Sequence, residues 1–218
     1  MRAAADFGAH CALACSFGPE DIVLLDLMRE AAPSLGVFAI DTGRLHEETY
    51  EIAERAADFF GLRVKWYAPD RDAVEQLESA KGLYSFRQSL ENRHECCGIR
   101  KVEPLGRALA GLRAWITGRR QEQSVTRFGL NFFEDDAERP GVLKLNPLAE
   151  WTSAMVWAHI RERGLPYNAL HDRGFPSIGC SPCTRAVAAG EDERAGRWWW
   201  ETPENKECGL HVAATHAS

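Results

Sequence analysis

The stretch "CALACSFGPEDIVLL", Cys11–Leu25, decides how the rest of the chain is read. Cys11–Ser16 is small and apolar, as in a strand buried on both faces. Phe17 and Gly18 follow, and then Pro19, which suits a first helical turn because its missing N–H would be unsatisfied there anyway. Glu20 and Asp21 stand where a helix N-terminus favours negative charge. The stretch therefore predicts a buried strand, a tight turn and a helix.

Working outward, the same unit recurs. "GVFAID" (Gly36–Asp41) predicts a second buried strand, running into the turn "DTG". A helix follows from about His46 to Phe60, with Tyr50, Ala53, Ala57 and Phe60 as its apolar stripe and Gly61 as its stop. "LRVKWYA" predicts a third strand, followed by a helix capped by Asp70. "VEPLGRALAGL" is helical and leads into "AWITG" (Ala114–Gly118), the fourth strand. Strands alternating with helices predict a doubly wound, mainly parallel α/β sheet. Such sheets bind ligands beyond the carboxyl ends of their strands. Three of these strands end in "SFG", "DTG" and "TG", the small polar turns such a site uses.

After Gly118 the pattern loosens. "RRQEQSVTRFGLNFFEDDAERPG" is polar and arginine-rich and reads as a functional loop. "LKLNPLAEW" suggests a short strand, then a helix from Thr152 to Arg163 with Met155, Val156 and Ile160 inward. The remainder is turn-rich. Residues 1–218 read as a single domain in which 170–218 form a C-terminal extension, with no repeats and no low-complexity linker.

At 218 residues, 45% hydrophobic and 27% charged, the chain can bury a sizeable core. Its net charge of -6 disfavours a nucleic-acid binder, which would show a basic face. No window is long and apolar enough for a membrane span. The opening "MRAAADFGAH" is a poor secretory signal, so a cytoplasmic location is expected, where thiols stay reduced.

Seven cysteines in such a compartment point to metal or redox chemistry. Four form two pairs: the adjacent Cys96 and Cys97 in "RHECCGIR", and the C-x-x-C of Cys180 and Cys183 in "GCSPCTR". A thioredoxin-type motif would lie at a first strand–helix turn, which Cys180 does not. Structural zinc needs four converging thiolates. Neighbouring side chains diverge, which disfavours that for Cys96 and Cys97. A four-iron cubane offers a separate corner to each thiolate, so adjacency suits it better. Zinc and unpaired buried thiols stay open on the residues alone. A vicinal disulfide would be a strained ring.

Taken together, "SFGPEDIVLL", "IDTGRLHEETY", "ECCGIRKVEPLGRAL", "TGRRQEQSVTR", "KLNPLAEWT", "LPYNALHDRGFPSIGCSPCTRAV", "GRWWWE" and "KECGLH" resemble, in this order, the assimilatory adenylyl-sulfate (APS) reductases. The resemblance runs from about Ala12 to His211. The related phosphoadenylyl-sulfate (PAPS) reductases share the terminal motif but as a rule lack both cysteine pairs. The resemblance implies an adenine nucleotide α-hydrolase-like (ATP pyrophosphatase-like) fold. It implies reduction of APS to sulfite and AMP with thioredoxin as electron donor, and a [4Fe-4S] cluster on Cys96, Cys97, Cys180 and Cys183.

It also implies roles. Cys208 is the expected nucleophile: only a thiolate reacts, and Lys206 and His211 flank it while Glu207 opposes. A C-terminal segment moving between closed and open positions would let Cys208 meet first the substrate and then thioredoxin. Lys101, Arg127, Arg194, Arg197 and His211 would contact the phosphosulfate. Ser16, Phe17 and Gly18 form a shortened relative of a pyrophosphate loop. Ile40, Asp41 and Thr42 would read the adenine edge, and Gly118 would approach the ribose. Arg119 and Arg120 carry no firm assignment, and Gln121 stands where many relatives have an arginine. Lys101 is expected to face cluster and substrate together. Cys11 and Cys15 read as core thiols, His46 and His171 as structural or surface residues, and Trp198–Trp200 as packing. The first strand begins almost at the start of the sequence, which leaves a homo-oligomer an open question.

Overall fold

The computed structural model describes residues 6–123 and 129–202. Strands β1 (Cys11–Ala14), β2 (Gly36–Ile40), β3 (Val64–Tyr67), β4 (Ala114–Ile116), β5 (Phe133–Asp135) and β6 (Leu143–Leu145) form one sheet in the order β3-β2-β1-β4-β6-β5. All neighbours are parallel except β5, which runs antiparallel to β6 at the edge. The chain leaves β1 first toward β2 and β3 and then returns to place β4 on the other side. Turns after both β1 and β4 therefore face one crevice, where the strand order reverses.

Helices α1 (Pro19–Ala31) and α2 (Glu47–Phe60) cover this sheet with α6 (Ser153–Glu162). Helix α1 starts at Pro19 behind Gly18, and Ile22, Val23, Leu24 and Leu25 are all at most 2% exposed, so it is a central helix buried nearly all round. Its buried Asp26 carboxylate takes Arg163 Nε at 2.7 Å, His159 Nε2 at 2.9 Å and Arg29 Nη2 at 3.1 Å, which ties α6 to α1. Gly61 ends α2 at φ 64°, the left-handed conformation glycine adopts without penalty. Helix α3 (Arg71–Lys81) is capped by Asp70 Oδ1, which accepts from Ala73 N at 2.9 Å.

Four sequence expectations need correction. The buried face of α2 is Thr49, Ile52, Ala53 and Ala56, rotated from the expected stripe. Tyr50 is 37% exposed because its hydroxyl donates to Asp41. Met155 points outward and is 46% exposed, while Val156 and Ile160 are buried as expected. The arginine-rich segment holds a short edge strand, β5. Lastly, Cys96 and Cys97 lie in a segment that the periodicity leaves without a helix. They close helix α4 (Leu90–Cys97), which continues through a wide π turn at Gly98–Val102 into α5 (Glu103–Leu109).

Candidate active site: a nucleotide cleft beside a cysteine-lined cavity

The turn after β1 builds the floor of the crevice. Ser16 donates to Asp21 Oδ2 twice, from its backbone N at 2.6 Å and its hydroxyl at 2.8 Å, which folds the turn onto the first turn of α1. Burial raises Asp21 to about 6, while the Ser16 bonds hold it down. Phe17 pays for the tight turn with φ 60°, and its buried ring stacks on Trp66 at 5.8 Å. The turn after β4 presses on the same place. A Cβ on Gly118 would stand 2.6 Å from Asp21 Oδ1 and 2.9 Å from Glu20 Cβ, so only glycine fits.

Above this floor lies a cleft of about 290 Å³. Of the residues expected from sequence, Ser16, Phe17, Gly18, Ile40, Thr42, Lys101, Gly118, Arg194 and Arg197 all line it. Its lining includes the apolar and aromatic Phe38, Ile40, Trp66, Leu105 and Trp115, as a planar base requires. It also includes Lys101, Arg119, Arg194 and Arg197, as an anion requires. Asp41 is absent from the lining. Its Oδ1 accepts from Gly43 N and from the Tyr50 hydroxyl, each at 2.8 Å, so it shapes the turn after β2.

The arginines divide by what holds them. Arg197 donates to the carbonyl of Ile178 at 3.1 Å and to Ser177 Oγ at 3.3 Å, lies 4.7 Å over the Trp198 ring, and covers Gly179 too closely for any Cβ there. Arg119 pairs with Glu134 Oε2 at 2.7 Å, which explains the edge strand: β5 brings that carboxylate to the cleft. Arg120 turns away, buried, with Nε on Glu20 at 2.8 Å and Nη1 on Glu122 at 3.1 Å. Arg127, Cys208 and His211, and with them the expected movement of the C-terminal segment, lie outside the described residues.

A second, small cavity adjoins the cleft. Cys96, Cys97, Cys180 and Cys183 line it together with Arg44, Phe86, Arg93, Arg100, Lys101 and Trp198. Lys101 belongs to both linings. The π turn that carries Lys101 and Arg100 comes immediately after Cys97, so one local widening of the helix serves both cavities. Cys180 and Cys183 are joined by a short turn, Cys183 N donating to the Cys180 carbonyl at 2.9 Å. Thr42 Oγ1 lies 3.3 Å from Cys180 Sγ, while the Thr42 carbonyl accepts from Arg100 Nη1 at 2.8 Å. Glu78 Oε1 takes Arg100 Nη2 at 2.5 Å and Arg44 Nη2 at 2.8 Å. Arg93 and Glu201 form a bidentate pair at 2.9 and 3.0 Å, their side chains 1% and 9% exposed. Trp200 meets Phe86 at 6.0 Å and Trp198 is buried, so these tryptophans pack the C-terminal segment onto the cysteine region.

Burial pushes the Cys96 thiol up even beside Arg44 and Arg100, and pushes Cys183 up to about 12 even beside Lys101. None of the described cysteines is in a disulfide. Among the described residues, no three His, Cys, Asp or Glu side chains are arranged to hold a single metal ion. The donor set does suit a larger sulfur-rich group. Arg100 Nε and Trp198 Nε1, both on residues of this cavity, are buried donors without a partner. Such donors are costly unless an acceptor meets them.

Trp66, Thr117, Asn168 and His171 also line the cleft, and no sequence expectation placed them there. Trp66 reads as an ordinary strand aromatic, and the other three carry no motif beyond the segments quoted above.

Comparison with known proteins agrees with this architecture. Residues 10–186 match the family model of the phosphoadenosine phosphosulfate reductase domain. The adenosine 5'-phosphosulfate reductase of Allochromatium vinosum is 53% identical over 198 residues, covering 91% of this chain and 77% of that protein. The crystal structure of the phosphoadenylyl-sulfate (PAPS) reductase from Candida auris, a phosphate complex, is 30% identical with a TM-score of 0.69, covering 82% of this chain and 83% of that one. The FMN adenylyltransferase of Candida glabrata, at 19% identity and a TM-score of 0.57 over 92% of this chain and 66% of that one, shares the fold. A sheet with its crevice between β1 and β4 and a match across most of the chain leave one conclusion: this chain belongs to the phosphoadenosine phosphosulfate reductase domain family, and within it to the adenosine 5'-phosphosulfate reductases.

Proposed function

We propose that the chain reduces adenylyl sulfate to sulfite and AMP with electrons from thioredoxin, in the cytoplasm, as a step of assimilatory sulfate reduction toward cysteine. The observation that carries this reading is the shared wall of the two cavities: Lys101 lines both the nucleotide cleft and the cavity of the four cysteines. Relatives about half identical to this chain and named adenosine 5'-phosphosulfate reductase support the choice of substrate.

The chemistry is an anion attacking an anion, so fixed positive charge must offset the repulsion. Lys101, Arg194 and Arg197 supply it in the cleft, with Arg127 and His211 assigned by resemblance. The Cys208 thiolate attacks the substrate sulfur, the S–O bond to AMP breaks, and an S-sulfocysteine remains. A thioredoxin thiolate then attacks the Cys208 sulfur, displacing sulfite and leaving a mixed disulfide, and its second thiol attacks the thioredoxin sulfur of that bond, closing the thioredoxin disulfide and releasing the Cys208 thiolate. The dithiol is thereby oxidised by two electrons and the sulfur reduced by two. Access for both steps calls for a C-terminal segment that opens and closes.

Cys96, Cys97, Cys180 and Cys183 would hold a [4Fe-4S] cluster, with Arg100 and Trp198 donating toward it. When bound, such a cluster supplies a compact charge beside the anionic end of the substrate, tuned by surrounding donors. Turnover with thioredoxin on APS and on PAPS tests the reading. Sulfite release from APS, with a thiol-labile adduct on Cys208, is expected. Turnover on PAPS alone would move the chain to the PAPS specificity, and no turnover on either would overturn the reading.

A further inference from the structure

The unassigned histidine in the cleft is His171. It stands on the short helix Ala169–Arg173, whose start is capped by Asn168, the side-chain oxygen accepting from Leu170 N at 2.9 Å. Its ring is fixed edge-on to Trp157 of α6 at 5.1 Å. Trp157 is held in turn by Tyr167 at 5.3 Å. Both ring nitrogens are buried, and neither has a hydrogen-bond partner. Burial lowers the ring's pKa and favours the neutral imidazole, against Glu20 and the backbone of Phe175, which approaches without the geometry of a bond.

A neutral imidazole carries one donor and one acceptor, and leaving both buried and unpaired is costly. Aromatic packing pins the ring at that cost, and His171 lines the cleft, so a ligand in the cleft can relieve it. The neighbours say which part of the ligand. His171 lines the cleft with Ser177 and Ile178, the two residues that hold Arg197, and with the cations Lys101, Arg119 and Arg194. Glu20, the carboxylate that acts most on the ring, is engaged by Arg120 at 2.8 Å. Fixed positive charge in the cleft calls for the anionic part of a nucleotide. The apolar residues suited to a base lie on β2, β3, β4 and α5.

We propose that His171 is a substrate-binding residue that donates a hydrogen bond to a phosphate oxygen of the adenine nucleotide. The proposal rests on the nucleotide reading above. Its test is calorimetric binding of AMP and of adenosine to the iron-loaded wild-type protein and to four variants. His171→Phe keeps a ring on Trp157 and removes both nitrogens, and His171→Ala removes the ring. His171→Asn and His171→Gln each restore a donor near one of the two ring nitrogens. AMP binding is expected to weaken about ten- to a hundred-fold in the Phe and Ala variants, with adenosine binding unchanged. Either Asn or Gln should recover most of the loss. Equal weakening of AMP and adenosine would overturn the proposal in favour of a ring that shapes the cleft, and unchanged AMP binding in the Phe variant would overturn it outright. If the Ala variant fails to fold, the Phe, Asn and Gln set decides. Wild-type protein that binds AMP but releases no sulfite from APS would sink the reading of the reaction and leave this test standing; wild-type protein that does not bind AMP would sink both.

Discussion

The two cavities differ in what their side chains meet, although Lys101 belongs to both. In the nucleotide cleft many polar groups are already engaged, the His171 ring and Arg119 Nε being exceptions. Ser16 is spent on Asp21, Asp41 on its own turn, Arg119 on Glu134 and Arg197 on Ser177 and Ile178. The cleft is preorganised, so a ligand meets groups that need not rearrange. In the cysteine cavity the thiols are pushed toward the neutral form by burial, and donors such as Arg100 Nε stand without an acceptor. Those donors are what the proposed cluster would satisfy. The comparison teaches that binding and holding are separable here: the cleft is largely set by folding, and the cysteine cavity is the one a cluster would complete.

The largest effect should come from setting Cys208 against Cys96. Cys208→Ser is expected to lower APS turnover by roughly a thousand-fold or more while iron, sulfide and AMP binding persist. Cys96→Ser should instead strip iron and sulfide, read by elemental analysis and visible absorption. If both substitutions emptied the protein of iron, the separation of the two regions would be wrong.

Next in size is the buried pair at the edge of the cysteine cavity. Glu201→Ala leaves the Arg93 guanidinium buried at 1% exposure without its carboxylate. A loss of about 3 kcal/mol in unfolding free energy is expected from denaturant titration. A loss under half of that would mean Trp198, 4.7 Å from the Arg93 guanidinium, carries the contact instead.

Lys101→Ala probes the shared wall. Turnover on APS should fall about a hundred-fold with iron content held. Unchanged turnover would reduce Lys101 to a surface of the cysteine cavity alone.

The smallest effect is a pH dependence in the cleft floor. The folded value of Asp21, about 6, lies above its ordinary value of 3.8, so the fold favours the neutral acid. That contribution is complete below about pH 4 and is lost as pH rises through about 6. Comparing Asp21→Asn with wild type by denaturant midpoint, the variant should gain on the order of 2 kcal/mol relative to wild type between pH 4 and pH 7. A difference that stays flat across that range would show that Ser16 holds Asp21 ionised throughout.

Much of this was legible in the residues. The strand–turn–helix of Cys11–Leu25 was readable because a fully buried strand and an N-terminal Pro–Glu–Asp leave local marks. The four conspicuous cysteines were found by spacing. What escaped has a common cause. Helix α4 is short and polar, with Arg93 and Cys96 on its inner side, so it lacks an apolar period. The edge strand β5 has three residues and pairs on one side only. Tyr50 was read as core, yet its hydroxyl sought Asp41, a partner on another element. His171 carries no local mark, because burial of an imidazole is a property of its neighbours.

By itself, the sequence determined the alternating strands and helices, the crevice they imply and the residues of the first turn, since these follow from local periodicity and backbone preference. It also named the cysteines that belong together. Only the tertiary structure decided that Lys101 faces two cavities, that Arg119 enters the cleft while its neighbour Arg120 braces Glu20, and that the ring nitrogens of His171 stand buried and unsatisfied in the cleft. Those are questions of which distant groups a side chain meets, and no local pattern encodes the answer.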